Sequence, residues 1–234
     1  MKALGISNPG LMRENNEDYY FINREKGLLI VADGMGGHAA GEEASKLAVQ
    51  TVVGQLADYQ CLPEKSIKAA LTAANKAIFA KSADNPALAG MGTTLTLIAV
   101  LPEYLVTGHV GDSMAYLIDA KGMLPLTSDH SVSGQLLAMG KITSAEAACH
   151  PQRHVLTRAL GIDECIDVET RRQAWRSGQK LLLCSDGLTD IVSASEIYQI
   201  VQGDDDLAAQ INSLLALVLE RGAPDNVTII LAQL

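Results

Sequence analysis

The sequence predicts an α+β sandwich. Two short apolar segments, Leu28–Ala32 and Leu181–Ser185, are each followed by an Asp-Gly pair, which is typical of buried strands that stop at a turn. Several longer segments carry apolar residues at helical spacing instead. Because the predicted strands come in runs separated by helices, a layered α+β arrangement is favoured over regular βαβ alternation.

Each element follows from its own pattern of apolar residues. The strands Leu28–Ala32 and Leu181–Ser185 are expected to pair at the centre of the fold. Three helices are predicted from apolar faces formed by Ala44, Leu47, Ala48, Val52 and Leu56; by Ile67, Ala70, Leu71, Ala74 and Ile78; and by Leu207, Ile211, Leu214, Leu215 and Val218. Further strands are predicted at Thr93–Leu101, Tyr104–Val110, Met114–Ile118 and Val227–Leu231.

Length and composition narrow the classes of protein to consider. The 234 residues, of which 48% are hydrophobic, contain no Pro/Gly/Ser-rich linker, so we expect residues 1–234 to form a single domain. A net charge of −9 argues against a nucleic-acid partner, which would need a basic face. No apolar run approaches the roughly 18 residues of a membrane-spanning helix. With no signal core and no CxxC pair, we expect a cytoplasmic protein without a membrane partner.

Five aspartates stand at the ends of predicted strands or in their connections: Asp33, Asp112, Asp186, Asp190 and Asp225. Any one of them is most simply a turn residue, since Asp-Gly and Pro-Asp are strong turn signals. If these loops meet at one end of the sandwich, however, the five aspartates together predict a cluster of carboxylates. Two carboxylates about 4 Å apart repel by roughly 4 kcal/mol at an effective dielectric near 20, so convergence requires cations. Ligation by oxygen alone indicates Mg²⁺ or Mn²⁺ rather than zinc.

Two further segments carry groups suited to a phosphate or a metal. Arg13 offers a planar fork of donors for two phosphate oxygens, and the acids Glu17 and Asp18 follow it, although alone this segment is a charged surface loop. The glycine-rich stretch after Asp33 lets the backbone approach an ion closely. A carbonyl such as that of Gly34 can then serve as a ligand.

Six segments in chain order resemble those of type-2C, metal-dependent (PPM) serine/threonine protein phosphatases in their compact bacterial form. They are Arg13–Asp18, Asp33–Glu42 with Ala44-Ser45, Gly111–Ser113, His150–Arg153 continuing to Thr157–Gly161, Ser185–Asp190 and Asp225–Asn226. The resemblance implies an α-β-β-α sandwich of two antiparallel sheets flanked by helix pairs. It also implies a signalling hydrolase that removes phosphate from phosphoserine and phosphothreonine on proteins and so opposes a serine/threonine kinase.

The resemblance also implies a role for each residue. Asp33 would bridge two tightly bound Mn²⁺ or Mg²⁺ ions, Asp186 and Asp225 would complete the first ion's ligands, and the Gly34 carbonyl would bind the second. Water between the ions would attack phosphorus. Supporting roles are implied for Arg13 as phosphate clamp, Glu17 and Asp18 as holders of metal-bound water, Asp112 and Asp190 as ligands of a third, weaker ion, and Asn226 as a further site residue.

Two departures from the family's pattern matter. Met35 stands where eukaryotic relatives have a histidine that is a candidate general acid, so the proton donor stays unassigned, with His38 as a nearby candidate. Met114 replaces the arginine that commonly follows Gly-Asp-Ser, which leaves open a local salt bridge or a substrate contact. Residues 129–161 resemble the family's variable flap beside the site.

Three other functions fit parts of the sequence. An acidic receiver-type domain with Mg²⁺ and a phosphoacceptor aspartate is disfavoured by the length, by the two strands that end in Asp-Gly and by the lack of regular βα alternation. Cys165 and Arg171 have the C-x5-R spacing of cysteine-based phosphatases, but the intervening acids would repel phosphate and no glycine-rich cradle is present. A catalytically silent phosphoprotein-binding relative has no need for all five aspartates. A metal-dependent turnover assay separates that alternative from an enzyme.

Overall fold

Two antiparallel β-sheets pack face to face in a computed structural model that describes residues 1–36, 40–57, 62–203 and 205–234. The first sheet has the order β1 (Lys2–Asn8), β11 (Val227–Gln233), β10 (Lys180–Cys184), β7 (Met114–Asp119) and β8 (Gly122–Pro125). The second has the order β2 (Asp18–Asn23), β3 (Leu28–Met35), β5 (Leu95–Val100), β6 (Tyr104–Val110) and β9 (Glu169–Ala174), and β4 (Gly92–Thr93) pairs with β3.

Helices cover the outer surface of each sheet. On the second sheet lie α1 (Ala40–Leu56) and α2 (Glu64–Asp84), and on the first lie α6 (Ala194–Gln202) and α7 (Leu207–Glu220). The shorter helices are α3 (Val132–Ala138), α4 (Ser144–Ala148) and α5 (Asp186–Thr189), with a 3₁₀ turn at Pro86–Leu88. The layers confirm the predicted α+β sandwich.

Alternation along the central strands explains why they read as continuous apolar runs. In β3, Leu29 and Val31 point between the two sheets, where they share a core with Leu181 of β10. Leu28 and Ile30 point the other way and pack with the helices on the outer surface. Both faces of the strand are therefore buried, and the sequence shows no alternation of polar and apolar residues there.

The expectation that β3 and β10 pair with each other was wrong. β3 lies between β2 and β5 in one sheet, whereas β10 lies between β7 and β11 in the other. The two strands meet face to face through their inward side chains rather than edge to edge. An apolar run reports burial but does not distinguish pairing within a sheet from stacking between sheets.

Other boundaries follow local hydrogen bonds. The strand predicted over Thr93–Leu101 is divided at Thr94, whose backbone N–H donates to the Asp33 carbonyl at 2.8 Å. β1 and β2 were not predicted from the sequence, since they have few fully buried positions. Among the described residues, no helix is both long and apolar enough to cross a bilayer.

Candidate active site

One cleft of about 840 Å³ gathers all five aspartates singled out in the sequence. Asp33 lies near the end of β3, Asp112 in the connection between β6 and β7, Asp186 at the start of α5, Asp190 just after α5, and Asp225 two residues before β11. Arg13, Glu17 and Gly34 line the same cleft. Residues far apart in sequence therefore meet because several strands of the two sheets end on the same side of the sandwich.

Asp33 is held by its backbone on both sides. Its N–H donates to the Thr94 hydroxyl at 2.9 Å, and its carbonyl accepts from the Thr93 hydroxyl at 2.8 Å. Removal from bulk water raises the pKa of the Asp33 carboxyl well above its usual range, and the carboxyl of Asp18, its cross-strand neighbour, raises it further. Asp186 contributes to the same crowding of negative charge.

Asp18 lies behind Asp33 and is buried, with 6% of its surface exposed. The Ser185 hydroxyl donates to its Oδ2 at 2.7 Å. Its Oδ1 is buried with no hydrogen-bond partner among the described residues. Burial raises the pKa of Asp18 to about 7. A buried carboxylate oxygen without a partner is costly, so this atom is suited to a cation or to an ordered water.

Arg13 is bound to a carboxylate. Its guanidinium Nη2 donates to Oδ2 of Asp225 at 2.8 Å, and both side chains are substantially exposed. The hydrogen bond to Asp225 and its negative charge raise the pKa of Arg13. The guanidinium is thereby positioned at the cleft mouth next to an acidic group that the sequence analysis treated as a metal ligand.

Glu17 lies against the start of α1. A Cβ atom on Gly41 would come within 2.6 Å of the Glu17 carboxyl carbon, so only glycine leaves room for that carboxylate. Burial raises the pKa of Glu17. Gly34 is constrained in the same way, since a Cβ there would lie 2.1 Å from the Gly41 carbonyl oxygen.

Asn226 has every polar atom of its side chain occupied by backbone. Its Oδ1 accepts from the N–H of Glu17 at 2.7 Å, and its Nδ2 donates to the carbonyls of Pro9 and Asn15 at 2.9 Å each. Asn226 therefore fixes the N-terminal loop that carries Arg13 and Glu17. His38, the nearby candidate for the proton donor, lies outside the described residues.

A second group of acids lies beside Asp33. Burial, followed by the negative charge of Asp186, raises the pKa of Asp112 well above its usual range, and the same two causes raise that of Asp190. His154, from the flap, places its Nδ1 at 3.4 Å from Oδ2 of Asp190 and at 3.7 Å from Oδ2 of Asp186. His154 was not predicted as a site residue, because no metal-ligand spacing connects residues so distant in the chain.

A buried pair of imidazoles supports the Asp112 connection from behind. The rings of His109 and His130 lie 4.7 Å apart between centroids. His109 contacts the Thr96 hydroxyl and a backbone carbonyl at 2.8 Å each, and burial lowers its pKa to about 4. The Gly111 N–H donates to His130 Nδ1 at 3.2 Å, and His130 Nε2 lies 3.1 Å from Glu169 Oε2. The contacts of both histidines are structural: they fix the connection that carries Asp112.

The cysteine-based alternative finds no support in the geometry. Cys165 is exposed and is not among the residues that line the cleft. The Arg171 guanidinium donates to the Pro125 carbonyl at 3.1 Å.

Residues 13–228 match the family described as Protein phosphatase 2C. The serine/threonine protein phosphatase PstP of Mycobacterium tuberculosis is 42% identical over 228 residues, which are 97% of this chain but only 43% of that protein. The protein phosphatase PhpP of Streptococcus pneumoniae is 36% identical over 236 residues, covering 98% of this chain and 96% of PhpP. The chain thus spans less than half the length of PstP.

A solved structure of the PstP catalytic domain, in complex with two manganese ions, superposes with a TM-score of 0.89 and 37% identity. It covers 99% of this chain and 97% of that one. The similarity extends over both sheets and their flanking helices, and therefore over every element that carries a cleft residue.

Proposed function

Since this chain belongs to the protein phosphatase 2C family, we propose that it hydrolyses phosphoserine and phosphothreonine on proteins. One observation carries the proposal: five aspartates from four separate segments line a single cleft with Arg13 at its edge. A binding module for phosphate would gain nothing from such a concentration of negative charge, since it would repel the ligand. The same concentration is useful when cations are bound between the acids and the phosphate.

The donor set fits divalent cations. The cleft acids supply oxygen ligands, and the buried, unpartnered Oδ1 of Asp18 adds an acceptor behind them. Oxygen ligands suit Mg²⁺ and Mn²⁺, and a catalytic domain similar to this chain binds two manganese ions. We assign two tightly bound ions to the carboxylates of Asp33, Asp186 and Asp225 together with the Gly34 carbonyl. A weaker third ion belongs to Asp112 and Asp190.

When bound, such ions supply positive charge that lowers the pKa of water and stabilises the charge on phosphoryl oxygens. The chain's own groups position the substrate. Arg13 presents a planar guanidinium that matches two phosphate oxygens, and it must exchange its bond to Asp225 for one to the substrate. Glu17 and Asp18 lie around Asp33 and accept hydrogen bonds from ordered water there.

The partners follow from the reaction. Substrates are phosphorylated proteins, and a serine/threonine kinase is the enzyme class that must produce them. The flap residues Arg153 and Arg158 line the cleft beside the acids and give it a cationic rim for phosphorylated chains. The cytoplasmic location expected from the sequence stays a prediction.

Hydrolysis of matched phosphopeptides tests the proposal. The same peptide is prepared with phosphoserine, phosphothreonine or phosphotyrosine, and phosphate release is measured with Mn²⁺ for the parent and for Asp33→Asn. We expect release from the first two peptides by the parent and almost none by Asp33→Asn. Failure to release phosphate from phosphoserine and phosphothreonine, or equal release by the two proteins, would contradict the proposal.

A further inference from the structure

The imidazole of His154 stands over the second group of acids. Its Nδ1 lies 3.4 Å from Oδ2 of Asp190 and 3.7 Å from Oδ2 of Asp186. All three side chains line the cleft, and the His154 side chain is 51% exposed on the flap. Asp186 and Asp190 come from α5 and the residue after it, one helical turn apart, so they present their carboxylates from one direction and His154 from the other.

These distances fit ligands of a common ion better than they fit hydrogen bonds. A good N–H···O bond has a donor–acceptor distance of about 2.7 to 3.2 Å, and both contacts are longer than that. Ligands that each lie about 2.1 Å from one ion are separated from their neighbours by roughly 3 to 3.5 Å, and from those across the ion by about 4 Å. One ligand atom from each of the three residues lies within 4.8 Å of the other two. Little movement is therefore needed for one ion to contact all three.

Building on the metal centre of the proposed function, we propose that His154 supplies a nitrogen ligand to the weaker third cation assigned to Asp112 and Asp190, and that Asp186 also turns an oxygen toward that cation. The flap is then connected to the floor of the cleft through that ion. This differs from an oxygen-only third site, because imidazole is a ligand for borderline ions such as Zn²⁺ and Co²⁺, whereas Mg²⁺ prefers oxygen. The site consequently prefers a divalent transition ion to Mg²⁺.

The flap itself provides a matched control. His150 is four residues earlier in the same segment, and its Nδ1 accepts the N–H of Gln152 at 3.2 Å. His150 is not among the residues that line the cleft. Replacing either histidine removes one imidazole from the flap, but only the change at His154 removes one that faces the acids.

Metal titration of the whole chain tests the inference. Binding of Zn²⁺ and of Mg²⁺ is measured by calorimetry for the parent, His154→Ala and His150→Ala, after a thermal melt has shown that all three fold. We expect His154→Ala to weaken the lowest-affinity Zn²⁺ phase about tenfold or more and to leave the Mg²⁺ isotherm as in the parent. His150→Ala should match the parent with either ion.

Nitrogen-15 spectra of histidine-labelled protein provide a second measurement. The Nδ1 resonance of His154, identified by its loss in His154→Ala, should shift when Zn²⁺ is added and stay in place with Mg²⁺. Three results would overturn the inference in a parent that still binds its tight ions. They are a His154 resonance that does not move with Zn²⁺, unchanged Zn²⁺ binding by His154→Ala, and an equal loss of affinity for Zn²⁺ and Mg²⁺ in His154→Ala. A parent that binds neither ion would instead overturn the proposed metal centre itself.

Discussion

The two sides of the cleft are built differently. On the floor of the cleft, the Asp33 N–H donates to the Thr94 hydroxyl and the Asp33 carbonyl accepts from the Thr93 hydroxyl, and its strand is buried on both faces. The flap, residues 129–161, joins the body at its ends through bonds such as that from the Leu160 N–H to the Thr93 carbonyl at 2.9 Å. Between those ends most of its side chains are exposed, including Met139 and Val155.

The difference assigns the reaction and the recognition of varied substrates to different parts of the molecule. Groups that must keep fixed distances from one another stand on strands, or directly beside the ends of strands, whose positions are determined by a core. In the proposed function, the groups that meet a variable substrate stand on a segment with few buried contacts, which can change without unfolding the sandwich. Substitutions on the floor should therefore affect turnover far more than substitutions among exposed residues.

Asp33→Asn should have the largest effect. The change removes a charge from the centre of the acidic group while keeping the side chain's shape, so kcat is expected to fall on the order of a thousandfold. The fold should be retained, because burial and the neighbouring carboxylates disfavour the charged form of Asp33, and losing that charge does not destabilise the folded chain. Steady-state kinetics with Mn²⁺ and a thermal melt measure the two properties. A well-folded variant with near-parental kcat would contradict the claim that turnover depends mainly on the floor of the cleft.

Arg13→Ala should have a smaller effect of another kind. If the guanidinium binds phosphate equally in the ground state and the transition state, KM rises by about ten- to a hundredfold and kcat changes little. Arg13→Lys keeps the charge but loses the planar fork, so its KM should lie between those of the parent and Arg13→Ala. Parental KM in Arg13→Ala would remove the clamp assignment.

The floor acids should also make the metal-free protein sensitive to pH. Folding raises the pKa of Asp18 from 3.8 to about 7, so between these values the folded chain holds a proton that the unfolded chain has lost. This contribution to stability is therefore lost as pH rises from about 4 through about 7.

Asp18→Asn isolates that contribution, because asparagine keeps an acceptor for the Ser185 hydroxyl and does not titrate. In EDTA, its melting temperature relative to the parent should increase by several degrees between pH 5 and pH 8. A constant difference across this range would show that Asp18 ionises equally in the folded and unfolded chains.

Cys165→Ser should have the smallest effect. The thiol is exposed and away from the cleft, so kcat, KM and the melting temperature should all stay close to those of the parent. Kinetics with the phosphoserine peptide check this. A folded but inactive Cys165→Ser protein would restore the cysteine-based mechanism.

The sequence predicted the floor more fully than the flap, for physical reasons. Apolar runs that stop at Asp-Gly identified β3 and β10, since burial on both faces leaves a continuous signal. That signal carries no information on which strands are neighbours, and the expected pairing of β3 with β10 was wrong. Convergence of the aspartates could be anticipated only on the assumption that the loops meet.

Other features had no local signal at all. The bond between Arg13 and Asp225 joins residues near opposite ends of the chain, and no spacing rule connects them. The same is true of His154, which approaches Asp186 and Asp190 only because the flap returns over the cleft. Side chains brought together by tertiary structure become visible when the fold is known.

Hydrolysis of p-nitrophenyl phosphate by metal-stripped protein tests the central claim most directly. Turnover is measured in EDTA and again after chelator is removed and Mn²⁺ or Mg²⁺ is restored. We expect no turnover above background in EDTA and recovery with added Mn²⁺ or Mg²⁺, because the acids of the cleft act through cations. Full turnover after exhaustive removal of metal would contradict the account.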